Sequence, residues 1–132
     1  MNLDLTSILG STKKIEQEHG HLLQFDFSNV DFVPKRLFVV NNVPNGSKRG
    51  KHAHHLTRQC LVAINGSIDV TLDNGHQKVY CTLNKGDYLH QEPLQWAEFV
   101  FRDDASLLVV CSTEHNEKDY IREYSEFKRL VN

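Results

Sequence analysis

Residues 59–75 read QCLVAINGSIDVTLDNG and contain two apolar runs, each of which is followed by an Asn-Gly dipeptide. The first run, residues 59–64, is almost entirely apolar, whereas in residues 68–72 apolar and polar side chains alternate. Alternation with a period of two is typical of a strand with one buried face. Asn-Gly favours a two-residue hairpin turn because both residues tolerate a positive φ. The stretch therefore predicts two strands that end in tight hairpins, at Asn65-Gly66 and at Asn74-Gly75.

Further strand-like runs lie on both sides of this stretch. Apolar residues alternate again over residues 79–83, before the turn-forming sequence Asn84 to Asp87. The remaining short β-rich runs are residues 22–27, 36–40, 95–101 and 106–112. An antiparallel meander of short strands predicts an all-β fold, either a sandwich or a barrel. A chain of 132 residues fits one domain, so we expect residues 1–132 to share one core and one site.

The C-terminal region changes character after Ser112. Residues 114–119 are polar, and four apolar or aromatic residues then recur at spacings that suit one face of a helix: Tyr120, Ile121, Tyr124 and Phe127. We expect a single short C-terminal helix that packs on the outside of the strands.

The charge pattern argues against nucleic acid as a partner. The net charge is −2, and the 15 Lys and Arg residues are scattered, apart from Lys48, Arg49 and Lys51. These three cations lie in or beside a glycine-flanked stretch, where they could hold one pyrophosphate group or could simply be solvated. Both interpretations stay open from the residues alone.

Neither a membrane span nor a secretory route is expected. No segment approaches the length of a membrane span, and residues 1–10 lack the cationic start and the continuous apolar stretch of a secretory signal. The cysteines Cys60, Cys81 and Cys111 lie in apolar runs, and three cysteines without paired spacing argue against a disulfide framework. A reduced, cytoplasmic protein is the simplest interpretation.

Three of the eight histidines fall within four positions, at His52, His54 and His55. On a strand, His52 and His54 share one face, and His55 points to the other. Two imidazoles on the inner face of a barrel cost desolvation free energy unless they are hydrogen-bonded or functional. Histidines that bind no metal titrate near neutral pH, so the pair could take and give protons at adjacent atoms of a substrate. A satisfied structural pair and half of a metal site are the alternatives.

The metal interpretation depends on the residues around this pair. Residues 46–66 resemble the first cupin motif, in which the two histidines are followed by a position usually held by glutamate, and here that position is Gln59. A neutral amide is a poor ligand for a transition metal. The second cupin motif should supply a further histidine after Pro93, but none is present there, and only His90 could stand in for it. We therefore predict a site without a metal.

Five features of the sequence occur together. They are RGKHAH at residues 49–54, the Gln59 strand that ends in NGS at 65–67, VTLDNG at 70–75, Trp96 with Glu98, and EKDYIREY at 117–124. Over about residues 35–127 the chain thereby resembles the dTDP-sugar 3,4-ketoisomerases. The H-A-H pattern alone occurs in many cupins, but in combination with the D-Y-I-R tail it is specific.

The resemblance implies a cupin jelly roll that needs no metal or cofactor and forms a homodimer with exchanged N-terminal strands. Family members convert dTDP-4-keto-6-deoxyglucose into a 3-keto isomer, on the way to 3-amino-3,6-dideoxy sugars of cell-surface glycans. The family's histidine pair matches His52 and His54, which would move the protons through an enediol. Arg49 would face the pyrophosphate. The other expected substrate contacts are Gln59, Trp96 and Glu98, at matching positions, together with Lys51, Tyr88 and His19.

Two positions depart from the family pattern. Ala97 stands where histidine or arginine is common, and His19-Gly20 lies in a variable part of the family. Both would border the sugar, so the galacto or gluco configuration at C4 of the product stays open. Three rival functions also remain: a metal-dependent cupin enzyme, a nucleotide-sugar epimerase that pairs one histidine with Tyr88 and Asp73, and a non-catalytic nucleotide-sugar-binding module.

Overall fold

The structure, a computed structural model, describes residues 3–132 and consists mainly of antiparallel β-strands. Met1 and Asn2, the start of the stretch considered above for a secretory signal, lie outside the described residues. The strands are β1 (Leu9–Ser11), β2 (Lys13–Gln17), β3 (Gly20–Gln24), β4 (Arg36–Val40), β5 (Lys48–His54), β6 (Gln59–Asp73), β7 (Lys78–Asn84), β8 (Asp87–Gln91), β9 (Trp96–Cys111) and β10 (Tyr120–Ile121). The helices are α1 (Leu5–Ile8) and α2 (Tyr124–Val131), with 3₁₀ turns at Phe27–Asn29 and Glu117–Asp119.

Two long strands, β6 and β9, connect the two layers of the fold. The first half of β6 pairs with β8 and with the second half of β9, beside which β4 lies, while β1 extends this layer next to β8. The second half of β6 pairs with β7 and with the first half of β9, which is followed by β5 and β10. All these pairings are antiparallel. The predicted all-β cupin jelly roll is confirmed.

The prediction of a hairpin at Asn65-Gly66 is wrong. Residues 59–73 form one continuous strand, and its register against β9 shifts at Asn65, where the strand bends from one layer to the other. Gly66 has φ +65°, and a Cβ on it would lie 2.5 Å from the carbonyl oxygen of Asp103. The glycine therefore allows a bulge and a close contact between two strands, and the chain does not reverse its direction here. The hairpin at Asn74-Gly75 is confirmed, because Asp73 pairs with Lys78 across it.

The course of β9 contradicts two further predictions, and a third concerns residues 22–27. Residues 95–101 and 106–112 were expected as separate strands, but they belong to the single strand β9, which is irregular around Asp103 and Asp104, both with positive φ. The expected meander is therefore also wrong, since two bent strands pass through both layers. The strand expected at 22–27 ends at Gln24 and is the second strand of a separate two-stranded sheet with β2.

The C-terminal helix is confirmed, although it begins later than the apolar spacing predicts. Tyr120 and Ile121 were expected in the helix, but they form β10, which pairs with His54 and Ala53 of β5. Helix α2 covers the outer face of this layer through Phe127, which is completely buried. Neither helix in the described part of the chain has the length and apolar character that a membrane crossing requires.

Candidate active site

A cavity of about 220 Å³ lies between the two layers. Its wall is apolar on the side of β4 and β9 and polar on the side of β5, β6 and the C-terminal tail. The lining residues are Phe38, Val40, Arg49, Gly50, His52, Gln59, Leu61, Phe99, Phe101, Leu107, Val109, Tyr120 and Arg122. Such a mixture, with few polar groups in an apolar wall, is typical of a site that encloses a small polar ligand.

A bulge in β5 fixes the position of His52. The register between β5 and β9 shifts between Gly50 and His52, and both Gly50 and Lys51 have positive φ. A Cβ on Gly50 would lie 2.8 Å from the Phe99 ring and 2.9 Å from the carbonyl oxygen of Ala97, so only glycine fits there. The carbonyl oxygen of Gly50 in turn accepts a hydrogen bond from Nδ1 of His52, at 3.1 Å.

This hydrogen bond determines which nitrogen of His52 is available to a ligand. A carbonyl oxygen can only accept, so Nδ1 carries the proton and the neutral ring keeps its lone pair on Nε2. Burial lowers the pKa of His52 below its usual 6.5, although its contact with Gly50 opposes this. His52 is therefore neutral at neutral pH, and it can act as a base toward a ligand in the cavity.

His54 lies directly behind the cavity wall and is almost completely buried. Its ring centroid is 5.0 Å from that of His52 and 4.5 Å from that of Tyr120, so the pair shares one face of β5, as the sequence predicts. Nδ1 of His54 lies 2.9 Å from Oδ2 of Asp119, whereas Nε2 is buried and has no hydrogen-bond partner among the described residues. Unlike His52, His54 does not line the cavity.

Burial and charge act in opposite directions at the contact between His54 and Asp119. Burial, followed by repulsion from His52, lowers the pKa of His54 to about 4, although Asp119 opposes the shift. Burial also raises the pKa of Asp119, but hydrogen bonds from Thr57, from the backbone N–H of Leu56 and from His54 outweigh it and hold that pKa below its usual value. At neutral pH the pair is therefore a neutral imidazole beside a carboxylate.

Gln59 lies in the cavity wall, where its amide Nε2 is 3.5 Å from Sγ of Cys111. His90, the residue that could have replaced a missing metal ligand, does not line this cavity. It borders a separate surface depression with Asn29 and Arg58. Within residues 3–132 no group of three or more histidine, cysteine, aspartate or glutamate side chains is close enough to hold a metal ion.

Two arginines mark the mouth of the cavity. Arg49 and Arg122 both line it, and both are exposed to solvent. The guanidinium of Arg122 lies 4.3 Å from the centroid of the Tyr120 ring and makes a 2.8 Å ion pair with Glu117. Arg49 makes no such ion pair in the described structure. Two guanidinium groups beside an apolar cavity are suited to a phosphate-bearing ligand.

The structure does not bring all the expected substrate-binding residues to this cavity. Trp96 and Glu98 lie on the outer face of β9, where the Trp96 Nε1–H donates to Oε2 of Glu98 at 2.9 Å. Glu98 also pairs with Lys48. Burial would raise the pKa of Glu98, but the hydrogen bonds from Trp96 and Lys48, together with the charges of Lys48 and the exposed Lys51, lower it. Within this chain, none of these residues lines the cavity.

Tyr88 and His19 also lie away from the cavity. The Tyr88 ring packs against Phe25, with centroids 5.4 Å apart, and lies close over Gly10. His19 is fully exposed at the turn between β2 and β3. Ala97 is completely buried in the core between the layers.

Sequence reasoning missed three functional candidates in the C-terminal tail: Asp119, Tyr120 and Arg122. All three belong to the D-Y-I-R segment, which carried the family resemblance but was assigned no role. The available signal was the segment itself, a run of polar and aromatic residues just before the helix. Its contact with the histidines depends on the pairing of Tyr120 with His54, which is 66 residues away along the chain.

Comparisons with known proteins point in the same direction as the geometry. Residues 5–132 match the family model described as "FdtA: WxcM-like, C-terminal". The TDP-4-oxo-6-deoxy-alpha-D-glucose-3,4-oxoisomerase of Aneurinibacillus thermoaerophilus is 34% identical over 122 residues, which cover 90% of this chain and 88% of that protein.

Two solved structures are similar over almost the whole chain. A variant of the 3,4-ketoisomerase QdtA from Thermoanaerobacterium thermosaccharolyticum, in complex with TDP-4-keto-6-deoxyglucose, has a TM-score of 0.84 at 28% identity and covers 93% of this chain and 91% of its own. The TDP-fucose-3,4-ketoisomerase WlaRA from Campylobacter jejuni has a TM-score of 0.82 at 31% identity, with 94% of each chain covered.

Proposed function

Because the chain belongs to the FdtA family of WxcM-like, C-terminal proteins, we propose that it is a sugar-nucleotide 3,4-ketoisomerase. Its substrate is TDP-4-keto-6-deoxyglucose, the ligand bound by the similar QdtA variant, and its product is the corresponding 3-keto-6-deoxyhexose. The observation that carries the proposal is His52, a neutral imidazole that donates from Nδ1 to Gly50 and lines a cavity of apolar and polar residues.

The reaction requires two proton transfers at carbon and two at oxygen. A base removes the proton from C3, which the neighbouring C4 carbonyl makes acidic, so that an enediol forms in its ionised state, with the negative charge on O4. The proton of the O3 hydroxyl then passes to O4 while C4 takes back the proton that left C3, which leaves a ketone at C3 and a hydroxyl at C4. No electron leaves the sugar, and no proton is consumed overall.

The two histidines divide these transfers in our proposal. His52 takes the proton from C3, because it is the histidine that lines the cavity. His54 moves the proton between the oxygens, since its buried Nε2 is unpaired and its ring contacts both His52 and Tyr120. A neutral imidazole suits both tasks, because it can accept a proton and return it in the same catalytic cycle.

The size of the cavity indicates how a nucleotide sugar would bind. Pockets that enclose a whole drug-sized ligand have volumes of roughly 300–1,000 Å³, and this cavity has about 220 Å³. We therefore place only the sugar ring inside and the diphosphate at the mouth, against Arg49 and Arg122. The galacto or gluco configuration of the product stays open, because Ala97, the position expected to border the sugar, is buried in the core and does not line the cavity.

One experiment tests the function directly. Purified protein is incubated with TDP-4-keto-6-deoxyglucose in deuterated water, and the recovered sugar is examined by NMR. We expect conversion to a 3-keto sugar by the protein alone. Bound but unconverted substrate would instead support the rival interpretation, a nucleotide-sugar-binding module, and an epimerised 4-keto sugar would support the epimerase.

We also propose that the protein is a homodimer in which N-terminal strands are exchanged. Among the strands of residues 3–132, β2 and β3 pair only with each other, and most of their residues are exposed. The outer face of β4 likewise exposes Leu37 and Val39, next to an apolar hollow. A second copy would cover these surfaces, since neighbouring exposed apolar residues are often found at protein–protein interfaces. Light scattering that gave the mass of one 15.2 kDa chain would contradict the dimer.

The remaining parts of the proposal concern the setting of the enzyme. Residues 1–132 act as one domain around one site, in the cytoplasm, where nucleotide sugars are made. The 3-keto product has a carbonyl that an aminotransferase can convert to an amine, which is the route to 3-amino-3,6-dideoxy sugars of cell-surface glycans. Detection of the protein outside the cytoplasm by cell fractionation would contradict this location.

The first prediction concerns metal. Treatment with a strong chelator, followed by gel filtration, should leave turnover unchanged, because Gln59 supplies a neutral amide where a metal site needs an acid. Metal analysis of the untreated protein should find far less than one equivalent per chain. Loss of turnover after chelation, and its return with one particular divalent ion, would refute the prediction and favour the metal-dependent cupin.

The second prediction concerns Arg49. Arg49→Lys should weaken the binding of TDP by about tenfold to a hundredfold, because a lysine cannot reproduce the two parallel hydrogen bonds of a guanidinium to a phosphate. Calorimetric titration with TDP measures the effect, and the unfolding midpoint should not change because the side chain is exposed. Lys51→Arg is the matched control, which we expect to bind TDP as the wild type does. Unchanged affinity in Arg49→Lys would mean that Arg49 is only a solvated cation.

A further inference from the structure

Asp119 is a buried carboxylate that the reaction as described above does not use. It ends the 3₁₀ turn before β10, and only 8% of its surface is exposed. Its two oxygens accept hydrogen bonds from three donors: the backbone N–H of Leu56 at 2.7 Å to Oδ1, and both Nδ1 of His54 at 2.9 Å and the hydroxyl of Thr57 to Oδ2. Burial of a charge is costly, so a carboxylate with this many partners calls for an explanation.

The contact determines the tautomer of His54. An ionised carboxylate can only accept hydrogen bonds, so the shared proton lies on Nδ1 of the imidazole. The lone pair of the neutral ring is then on Nε2, the atom that has no partner within the described residues. His52 has the same tautomer for a different reason, because its Nδ1 donates to a backbone carbonyl. Both rings therefore present Nε2 as the basic atom.

We propose that Asp119 is a positioning residue that holds His54 as its Nδ1–H tautomer, and so keeps Nε2 able to accept a proton from the substrate. The inference rests on the proposed ketoisomerase function, in which His54 moves a proton between two oxygens. The opposite tautomer would carry its proton on Nε2 and could not accept another there. Asp119 also stabilises the imidazolium that forms when His54 takes up a proton, which matters because no other carboxylate within residues 3–132 makes an ion pair with this ring.

A purely structural role is the alternative. Asp119 accepts hydrogen bonds from the backbone N–H of Leu56 and from the hydroxyl of Thr57, and Thr57 is further linked to Thr113 by a 2.6 Å contact between hydroxyl oxygens. Loss of such contacts would lower stability without any change in the tautomer of His54. The state of the histidine therefore separates the two roles, and nitrogen NMR of the imidazole reports it directly.

The variant Asp119→Asn gives the sharpest test. The N–H of Leu56 requires an oxygen at the Oδ1 position, which places the new amide nitrogen opposite His54. Because an amide nitrogen only donates, Nδ1 of His54 must become an acceptor and the ring proton must move to Nε2. Thr57→Val is the matched control, because it removes one hydrogen bond from the same carboxylate and leaves the contact between Asp119 and His54 in place.

The experiment combines proton–nitrogen correlation spectra of protein with labelled histidine, TDP titration and turnover. In the wild type and in Thr57→Val, we expect a protonated Nδ1 and an unprotonated Nε2 at His54. In Asp119→Asn the two nitrogens should exchange roles, turnover should fall at least tenfold, and TDP affinity should stay within about twofold because the residue lies outside the cavity.

Two results would overturn the proposal. One is a wild-type His54 that carries its proton on Nε2, a measurement that does not depend on the folding of any variant. The other is an Asp119→Asn variant whose tautomer changes while turnover does not. If the wild type shows the expected tautomer but does not convert the sugar, the proposed function fails, whereas the assignment of the tautomer to Asp119 stands.

Discussion

His52→Asn and His54→Asn should each lower turnover by roughly 10² or more, the usual scale for the loss of a general acid or base. Asparagine is close to histidine in size and can replace the hydrogen bond from Nδ1 with its own amide, but it cannot accept a proton near neutral pH. The bond from His52 to the carbonyl oxygen of Gly50 can therefore persist in the variant. Both variants should fold and bind TDP, because the diphosphate is held by arginines at the mouth of the cavity.

The two substitutions should be less than additive. Their rings lie 5.0 Å apart and serve one catalytic cycle, so the loss of either histidine stops the cycle, and the loss of the second adds little. Steady-state assays of both single variants and of the double variant measure this. A double variant whose loss equals the product of the single losses would mean that the histidines act independently.

Deuterium exchange separates the roles of the two histidines. His52 lines the cavity and is assigned to the carbon atoms, so His52→Asn should fail to introduce deuterium from solvent into the sugar ring. His54→Asn retains the carbon base and should still exchange deuterium slowly, although it forms little product. The reverse pattern would exchange the two assignments.

His55 is the internal control for both variants. Its side chain is exposed, and its backbone N–H donates to the carbonyl oxygen of Asp119 at 2.9 Å. Because the substitution leaves the backbone in place, His55→Asn should retain most of the activity. An inactive His55→Asn variant together with active His52→Asn and His54→Asn variants would contradict the assignment of the catalytic face of β5.

Local pattern was sufficient to predict the histidine face but not the course of the long strands. His52 and His54 share a face because they are two residues apart on one strand, which depends on no other part of the chain. Asn65-Gly66 has the composition of a hairpin turn, but here β6 pairs with β9 on both sides of the dipeptide, so the strand bends without reversing its direction. A dipeptide tolerates a positive φ equally well in a turn and in a bulge, so sequence could not distinguish them.

Only part of the cavity wall could be predicted from the sequence, again because the pairing of strands is not a local property. Gln59 and Arg49 were expected near the substrate and do line the cavity, whereas Trp96 and Glu98, which also alternate on a strand, face outward. Which face of a strand is the inner one depends on its partners, and in β5 a one-residue bulge also changes the count between Gly50 and His52. The contact of Asp119 with His54 depends on pairing across 65 residues, which no local pattern encodes.

Phe127→Ala should destabilise the fold by about 3–5 kcal/mol, the usual cost of removing a buried aromatic ring. Phe127 is completely buried in a small cluster beneath α2, with Ala53, Trp96 and Ile121. Helix α2 has only eight residues, too few for a helix that is stable by itself, so packing through this ring holds it in place. Domains of this size have roughly 5–15 kcal/mol of stability, so the loss would be a large fraction of the total.

Urea unfolding followed by tryptophan fluorescence measures this effect, because the single Trp96 lies in the affected cluster, with its ring centroid 5.7 Å from that of Phe127. Leu130→Ala is the matched control, since Leu130 lies on the same helix with 42% of its surface exposed and should cost less than about 1 kcal/mol. Equal losses in the two variants would mean that the ring does not anchor the helix. Because Ala53 lies between the two histidines of β5 and packs in the same cluster, we expect turnover to fall at a lower temperature in Phe127→Ala than in Leu130→Ala.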